Sequence, residues 1–482
     1  MRGTMSVKDI IAVDLDGTLT LTDTLHESLL LILKNKPLML LMLPVWLLKG
    51  IAFFKVKVAE NSDLNVTSLP YNEPLIDWLK NERAKGKKIV LCSAANERIV
   101  RAVAEYLQLF DDVMFSDAIT NLKSVNKRKA LEKKFGLKNY DYAGNSSADI
   151  EVWAGSRHAI VVNAGRNLSE QAKEVSTISQ SFPPSSVTIS DWRRALRVHQ
   201  WLKNMLLFVP ILAAHQYGNI QLLSKLMLAF ISFSLCASAV YIINDLLDLE
   251  SDRHHPRKSS RPFAAASIPI VTGIILFSIL ALVSFILGLM VNSFFLTILI
   301  GYFLLTTMYS FILKRIVIVD CLTLALLFTL RIIAGAAAVS LPLSFWLMAF
   351  SIFIFLSLAL VKRYAELMMH LQAGNNQAHG RGYAVTDASL LQTLGVSAGY
   401  LSILVIALYL RSEDVMNLYM QPVAIWFAIP LLLFWVSWIW LKAHRGEMHD
   451  DPIVFAVKDK ASLATAGLIV AVFVLATKEF TI

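Results

Sequence analysis

Charged residues are scarce in this chain. Asp, Glu, Lys and Arg make up 17% of 482 residues, where soluble domains carry about 25%, so a single water-soluble unit is excluded. Cysteine is scarcer still. Cys92, Cys236 and Cys321 stand alone, an odd number without paired ligand spacing, and no disulfide framework is expected. No cleavable leader is expected either, because the first apolar run, Ile10–Val13, is short and leads straight into Asp14-Leu15-Asp16-Gly17-Thr18. What fills the chain is apolar: 56% of it is hydrophobic, with 26 Phe and 10 Trp. That excludes disorder and predicts a membrane protein. A net charge of +9 is compatible with a nucleic acid, an anionic lipid surface or a phosphorylated substrate. For a chain in a membrane, lipid and phosphorylated substrates are the expected partners and nucleic acid is not.

The charge is unevenly placed. Residues 1–180 hold most of it, and long apolar runs fill the rest. The seam is the Pro/Ser stretch Ser181-Phe182-Pro183-Pro184-Ser185-Ser186, giving an N-terminal domain over 1–180, a linker over 181–190 and a membrane domain over 191–482. In the first half, Ile10–Val13, Lys87–Cys92 and Tyr140–Ala143 read as buried strands, with helices over Leu75–Lys85 and Glu97–Leu107 between them. The alternation predicts a parallel α/β sheet with ligands at the strands' carboxyl ends. Segment 29–54 is apolar but interrupted by Lys34, Lys36, Lys49, Pro37 and Pro44. It is expected to belong to a helical cap, over about residues 20–75, that touches the bilayer surface, with a membrane hairpin as the alternative.

Beyond the seam nine spans are expected, over 204–216, 222–249, 268–291, 294–311, 317–339, 343–362, 388–410, 423–441 and 462–477. The loops sort by charge. Arg253, Arg257, Lys258 and Arg261, then Lys314 and Arg315, Lys362, Arg363 and Arg381, and Lys442, Arg445, Lys458 and Lys460 fall on one side, and little beyond Arg411 and Lys478 on the other. The positive-inside rule makes the basic side cytoplasmic, together with the N-terminal half, in a bacterial-type inner membrane.

Asp14 and Asp16 directly after a strand suit phosphoryl transfer. Asp14 is placed as a carboxylate nucleophile, and Asp16 as the acid that protonates the leaving alcohol and then activates water. Gly17 and Thr18 allow a tight turn with N–H groups toward phosphate oxygens. A lone Asp-Gly is usually only a turn, but Ser93 follows the second strand, Lys127 opens a helix, and Asp149 follows the third strand, where it is offered to Mg²⁺. With these motifs the half resembles the haloacid dehalogenase (HAD) superfamily, particularly its phosphoserine-phosphatase-like branch, over residues 8–175. The resemblance implies that Ser93 and Lys127 hold the phosphate, and that Asp14, the Asp16 carbonyl and Asp149 hold Mg²⁺. Asn145 stands where many members have Asp, which implies altered metal affinity.

The second span ends in Asn244-Asp245-Leu246-Leu247-Asp248, followed by Asp252-Arg253. Asp245, Asp248 and Asp252 are spaced i, i+3, i+7 along one helical face beside Asn244. Carboxylates so placed call for a divalent cation bridging to a diphosphate. Arg257, Lys258 and Arg261 follow, able to clamp phosphate oxygens. Arg331 sits inside an apolar run, where an unpaired charge is costly, and Asp320 is its expected partner.

This Asp-rich end and the nine spans resemble the UbiA superfamily of intramembrane prenyltransferases. Gln200-Trp201-Leu202-Lys203-Asn204, the His255–Pro262 loop, Tyr309 with Lys314, Lys362-Arg363 with Glu366, and Asp451-Pro452 narrow the resemblance to its decaprenyl-phosphate phosphoribosyltransferase branch, over residues 190–480. It implies phosphoribosyl diphosphate (PRPP) as donor and a polyprenyl phosphate as acceptor. Asn244, Asp245, Asp248 and Asp252 then hold Mg²⁺, with Arg253, Lys258 and Arg261 on the departing pyrophosphate. Lys203, Asn204, Lys362 and Arg363 lie near the lipid phosphate or the donor's 5′-phosphate. Tyr309, Lys314, Arg331, Glu366 and Asp451 complete the expected substrate site. The fused phosphatase is then placed to remove the product's 5′-phosphate. The rival readings are an aromatic prenyltransferase using a prenyl diphosphate with an unrelated phosphatase, and a lipid-binding or transport module.

Overall fold

The computed structural model describes residues 9–117, 119–372, 382–448 and 451–477. They form two compact units. One runs to Leu196 and takes in Tyr241–Phe277; the other comprises Arg197–Val240 and the chain from Ser278 onward.

The first unit is built on six parallel strands: β1 (Ile10–Val13), β2 (Lys88–Asn96), β3 (Asp112–Ser116), β4 (Tyr140–Gly144), β5 (His158–Val162) and β6 (Thr177–Phe182). β1 is apolar at every position because both faces of the sheet are covered. Ile11 and Val13 enter one core with Leu75, Leu79 and Val103; Ile10 and Ala12 enter the opposite one with Tyr140, Tyr142 and Trp153. The order is β3-β2-β1-β4-β5-β6. Connections run outward in opposite directions from β1 and β4, which leaves a crevice at the carboxyl ends of these two strands. β3, β5 and β6 went unrecognised in the sequence. β6 takes up Ser181 and Phe182 of the expected seam, and Pro183 and Pro184 follow it directly.

Between β1 and β2 lies the cap. It consists of the helix Thr24–Asn35, hereafter the cap helix, a 3₁₀ run Pro37–Met42, and the helices Leu43–Leu48 and Ile51–Asn61. Asp23 starts the cap helix by accepting the Leu25 and His26 amides. Ile32, Trp46 and Val58 hold the pieces together. The longest apolar helical stretch, Pro37–Leu48, is well short of the length of a span.

Seven helices among the described residues are long and apolar enough to cross a membrane, from Ile220–Leu247 to Pro422–His444. An eighth is counted if Pro452–Lys458 and Lys460–Ala476, bent by 82°, form one span. Nine were expected. The first expected span, 204–216, is instead the end of a 3₁₀ run, Val198–Phe208, followed by the short helix Val209–Ala213. This segment lies tight against the helix Val319–Ala338. A Cβ on Gly335 would come within 2.0 Å of the Leu207 carbonyl oxygen, so only glycine permits the approach. The tight winding turns Lys203 and Asn204 into the protein, where both are buried.

Candidate active sites

Asp14 emerges at the carboxyl end of β1, its amide donating to the Ala143 carbonyl of β4 at 3.0 Å. Its carboxylate accepts the Leu15 amide at 2.9 Å and meets the Lys127 ammonium at 2.9 Å. Lys127 also donates to the Tyr142 hydroxyl at 2.7 Å and lies 4.0 Å from Asp149. Burial alone would lower the lysine's pKa, but Asp14 and Asp149 outweigh it and hold the ammonium charged well above the usual lysine range. Burial, aided by Asp149, raises the Asp14 carboxyl against the pull of Lys127. Asp16 is pushed up to about 7, by burial first and then by Asp23, while the Thr24 amide donates to it.

The loop after β4 is fixed by Asp149. One carboxylate oxygen accepts the Asn145 amide (3.1 Å), the Ser146 amide and the Ser146 hydroxyl (2.9 Å each), and the other accepts the Tyr142 hydroxyl at 2.9 Å. Asn145 faces the nucleophile loop and accepts from the Thr18 hydroxyl at 3.2 Å. Gly17 has φ +74°, and a Cβ there would lie 2.1 Å from the Asn145 amide nitrogen. Ser93 was expected just after the second strand but lies within β2, which runs on to Asn96; it is buried and its hydroxyl accepts the Ala95 amide. Among the described residues no three Asp, Glu, His or Cys side chains are grouped to hold a metal ion by themselves. The donors facing this crevice are nonetheless the hard oxygens a Mg²⁺ ion takes; the carboxylates of Asp14 and Asp149 are set against the buried ammonium of Lys127, and Lys55 is the cation that faces Asp16.

A cleft of about 350 Å³ opens above Asp16. Its lining includes Asp23, Thr24, Ser28, Lys55 and Asn96. The Ser28 hydroxyl is buried without a hydrogen-bond partner, and Lys55 donates to the Ala94 carbonyl at 2.7 Å. Sequence reasoning missed these groups, which carry no motif.

At the Asp-rich end the helix breaks at Asp248 (φ −102°, ψ 14°), which precedes the helix Leu249–His254. The three carboxylates therefore do not share one unbroken face. Arg261 gathers two of them, Asp245 at 3.1 Å and Asp252 at 2.5 Å, while Asp248 meets Lys34 of the cap helix at 3.2 Å. Burial raises the Asp252 carboxyl, opposed by Arg261 and then Lys258. The Asn244 carbonyl accepts the Asp248 amide. Arg253 points to the cap: its guanidinium binds Glu27 at 2.6 and 3.2 Å and the Ala264 carbonyl at 3.0 Å. Asn65 donates to Glu250 at 3.0 Å. Lys34 carried one faint signal, a cation breaking an apolar run; Glu27 carried none.

In the second unit, Asp451 accepts from Lys203 at 2.7 Å and Lys362 at 3.4 Å. Burial would raise its pKa, but Lys362 and Lys203 hold the carboxyl well below the usual range. Arg331 does not meet Asp320, from which 11 positions of helix, about 16 Å, separate it. It donates to Asn204 and to the Tyr302 hydroxyl, at 3.0 Å each, and lies among the rings of Phe233, Tyr302 and Phe328. Asn204 in turn donates to Ser234 at 2.9 Å. Asp320 instead binds Arg363 and the Tyr383 hydroxyl. Arg363 also reaches Glu366 and, at 3.3 Å, the Tyr309 hydroxyl. Lys314 lies in the short turn Leu313–Arg315.

These features define an integral membrane protein in which an α/β unit, with a buried carboxylate–lysine site, is fused to a helical membrane region. The chain belongs to the UbiA prenyltransferase family, whose model matches residues 205–475. It is 36% identical to the uncharacterized protein y4nM of Sinorhizobium fredii, over 96% of this chain and 90% of that one. It is 30% identical to the decaprenyl-phosphate phosphoribosyltransferase of Mycolicibacterium smegmatis, over 61% of this chain and 92% of that one. A solved substrate-bound phosphoserine phosphatase is similar at 15% identity and a TM-score of 0.28, over 37% of this chain and 94% of that one.

Proposed function

We propose that the protein transfers a 5-phosphoribosyl group from PRPP to a polyprenyl phosphate, and that its α/β unit then removes the 5′-phosphate to leave polyprenyl-phosphoryl ribose, a lipid-linked pentose for cell-envelope glycan synthesis. Both sites face the cytoplasm. The observation that carries the coupled reading is the position of the cap helix. With Thr24, Leu25 and Ser28 it lines the cleft over Asp16, and with Glu27 and Lys34 it grips Arg253 and Asp248. One helix thus serves both motifs.

In the transfer, the bond from ribose C1 to the pyrophosphate oxygen breaks and a bond from C1 to a lipid phosphate oxygen forms, the pyrophosphate leaving with the electron pair. The acceptor is already anionic, so no general base is required. Asp245, Asp248, Asp252 and Asn244 are the residues that would hold Mg²⁺, and Lys258 and Arg261 neutralise charge on the leaving group. In the hydrolysis, Asp14 attacks phosphorus and Asp16 protonates the departing 5′-oxygen; Asp16 then takes a proton from the water that releases phosphate from Asp14. An Asp16 pKa of about 7 suits both duties. Lys127 and Ser93 bind phosphate oxygens. Asp14, the Asp16 carbonyl and the Asn145–Asp149 loop would hold a second Mg²⁺, with Asn145 facing the nucleophile and Asp149 fixing the loop. In both sites the ion would supply positive charge for phosphate oxygens.

Purified protein given Mg²⁺, radiolabelled PRPP and polyprenyl phosphate tests this by lipid extraction and mass spectrometry. Wild type is expected to yield the dephosphorylated ribosyl lipid, Asp14→Asn to stop at the 5-phosphoribosyl lipid, and Asp248→Asn to yield neither. Label absent from lipid in every sample overturns the PRPP assignment and directs the search to prenyl diphosphates with aromatic acceptors.

A further inference from the structure

Beyond the cap helix, the cap turns a large apolar surface outward. Leu38 is 81% exposed, Leu41 76%, Leu47 54%, Leu48 89% and Ile51 53%. This is not a loose segment, since Trp46 is buried beneath it against Ile32 and Val58. Elsewhere on the α/β unit exposed large apolar residues are scattered, Tyr106, Leu137 and Ile189 among them. A contiguous patch of this kind marks a docking surface. Its charge is one-sided: the stretch Pro37–Ile51 carries Lys49 and no acidic residue, with Lys36 just before it. Lys49 lies over the Phe53 ring at the edge of the patch. The unit that carries the patch also contains the end of one spanning helix, Ile220–Leu247, and the start of another, Ile270–Val291. The cap helix is tied to the end of the first of these helices by Lys34 on Asp248, and to the segment that follows by Glu27 on Arg253.

We propose that the ledge Pro37–Ile51 lies in the plane of the bilayer surface, its leucines among the acyl chains and Lys49 against anionic head groups. Apolar residues flanked by cations are what such in-plane binding requires. The ledge thereby holds the phosphatase cleft where a phosphomonoester carried on a lipid reaches it. This last point rests on the proposed function; the docking itself does not.

The test uses the full chain in vesicles of phosphatidylglycerol and phosphatidylethanolamine, with an environment-sensitive fluorophore on Leu41→Cys or Leu48→Cys and with Leu137→Cys as the control. The native cysteines are buried, and unsubstituted protein gives the labelling blank. Probes at 41 and 48 are expected to be quenched by nitroxide-bearing lipid and shielded from aqueous iodide, and the probe at 137 the reverse. Iodide quenching at 41 and 48 without lipid quenching overturns the docking, whatever either site acts on. In addition, Leu41→Glu with Leu48→Glu should slow dephosphorylation of the ribosyl lipid about tenfold while leaving hydrolysis of soluble p-nitrophenyl phosphate unchanged. Equal rates on both substrates relative to wild type overturn the positioning role even if the probes report docking.

Discussion

Replacing Glu27 with leucine should damage the transferase although Glu27 belongs to the phosphatase half. Glu27 and Arg253 are 6% and 9% exposed and paired through two hydrogen bonds. Glu27→Leu leaves the guanidinium buried with the Ala264 carbonyl as its remaining partner of this group. Stranding one member of a buried pair costs about 3–5 kcal/mol. The adjoining cleft of about 360 Å³ admits water to Arg253, which favours the lower end, about 3 kcal/mol. Arg253→Leu should cost about 2–3 kcal/mol, since Glu27 keeps the Thr22 hydroxyl at 2.9 Å. The double variant places two leucines beside Leu30, Leu246 and Leu249 and should cost about 1–2 kcal/mol, so the pair is coupled by about 4 kcal/mol. For a unit of this size each kcal/mol moves Tm by about 2–4 °C. Glu27→Leu should therefore lose about 6–12 °C, Arg253→Leu about 4–12 °C, and the double about 2–8 °C, by intrinsic fluorescence of the full protein. Incorporation of PRPP label into lipid by Glu27→Leu should fall about 10–100-fold, the range for losing a partner that orients a binding group. Additive Tm losses, or undiminished transfer by Glu27→Leu, would refute the link between cap and motif.

Arg331→Lys should cost about 2–3 kcal/mol, read as a lower Tm, because an ammonium cannot reach Asn204 and Tyr302 together in the same planar geometry. Gly17→Ala should lower phosphatase turnover about 100-fold and spare the transferase, since the new methyl group displaces Asn145 from the nucleophile loop. Asn145→Asp adds a carboxylate beside that loop. The Mg²⁺ concentration for half-maximal phosphatase activity should drop about tenfold, with the transferase requirement unchanged; an unchanged phosphatase requirement removes Asn145 from the metal set.

The sequence alone determined what depends on local chemistry and period. A run of four apolar residues ending in Asp14 read as a buried strand because a sheet covered on both faces tolerates nothing polar there, and the strand became the centre of the sheet. The long apolar runs after the seam read as spans because a bilayer demands length and hydropathy, and eight of the nine correspond to helices. The first did not, because its winding answers to a close approach at Gly335, which no hydropathy window registers. β3, β5 and β6 were missed as short, partly polar segments whose identity comes from the neighbour they pair with.

Partnership was decided by the tertiary structure. Asp320 is near Arg331 in sequence, yet along a helix that separation is three turns, and each found its partner on another element: Arg363 for one, Asn204 and Tyr302 for the other. The regular spacing of Asp245, Asp248 and Asp252 promised a single face, but the helix breaks at Asp248 and cations from two different places divide the carboxylates. Glu27 and Lys34 meet Arg253 and Asp248 across more than 200 positions of chain. Such pairs leave no periodic trace in a sequence, because the energy that selects them arises only when folding removes both charges from water.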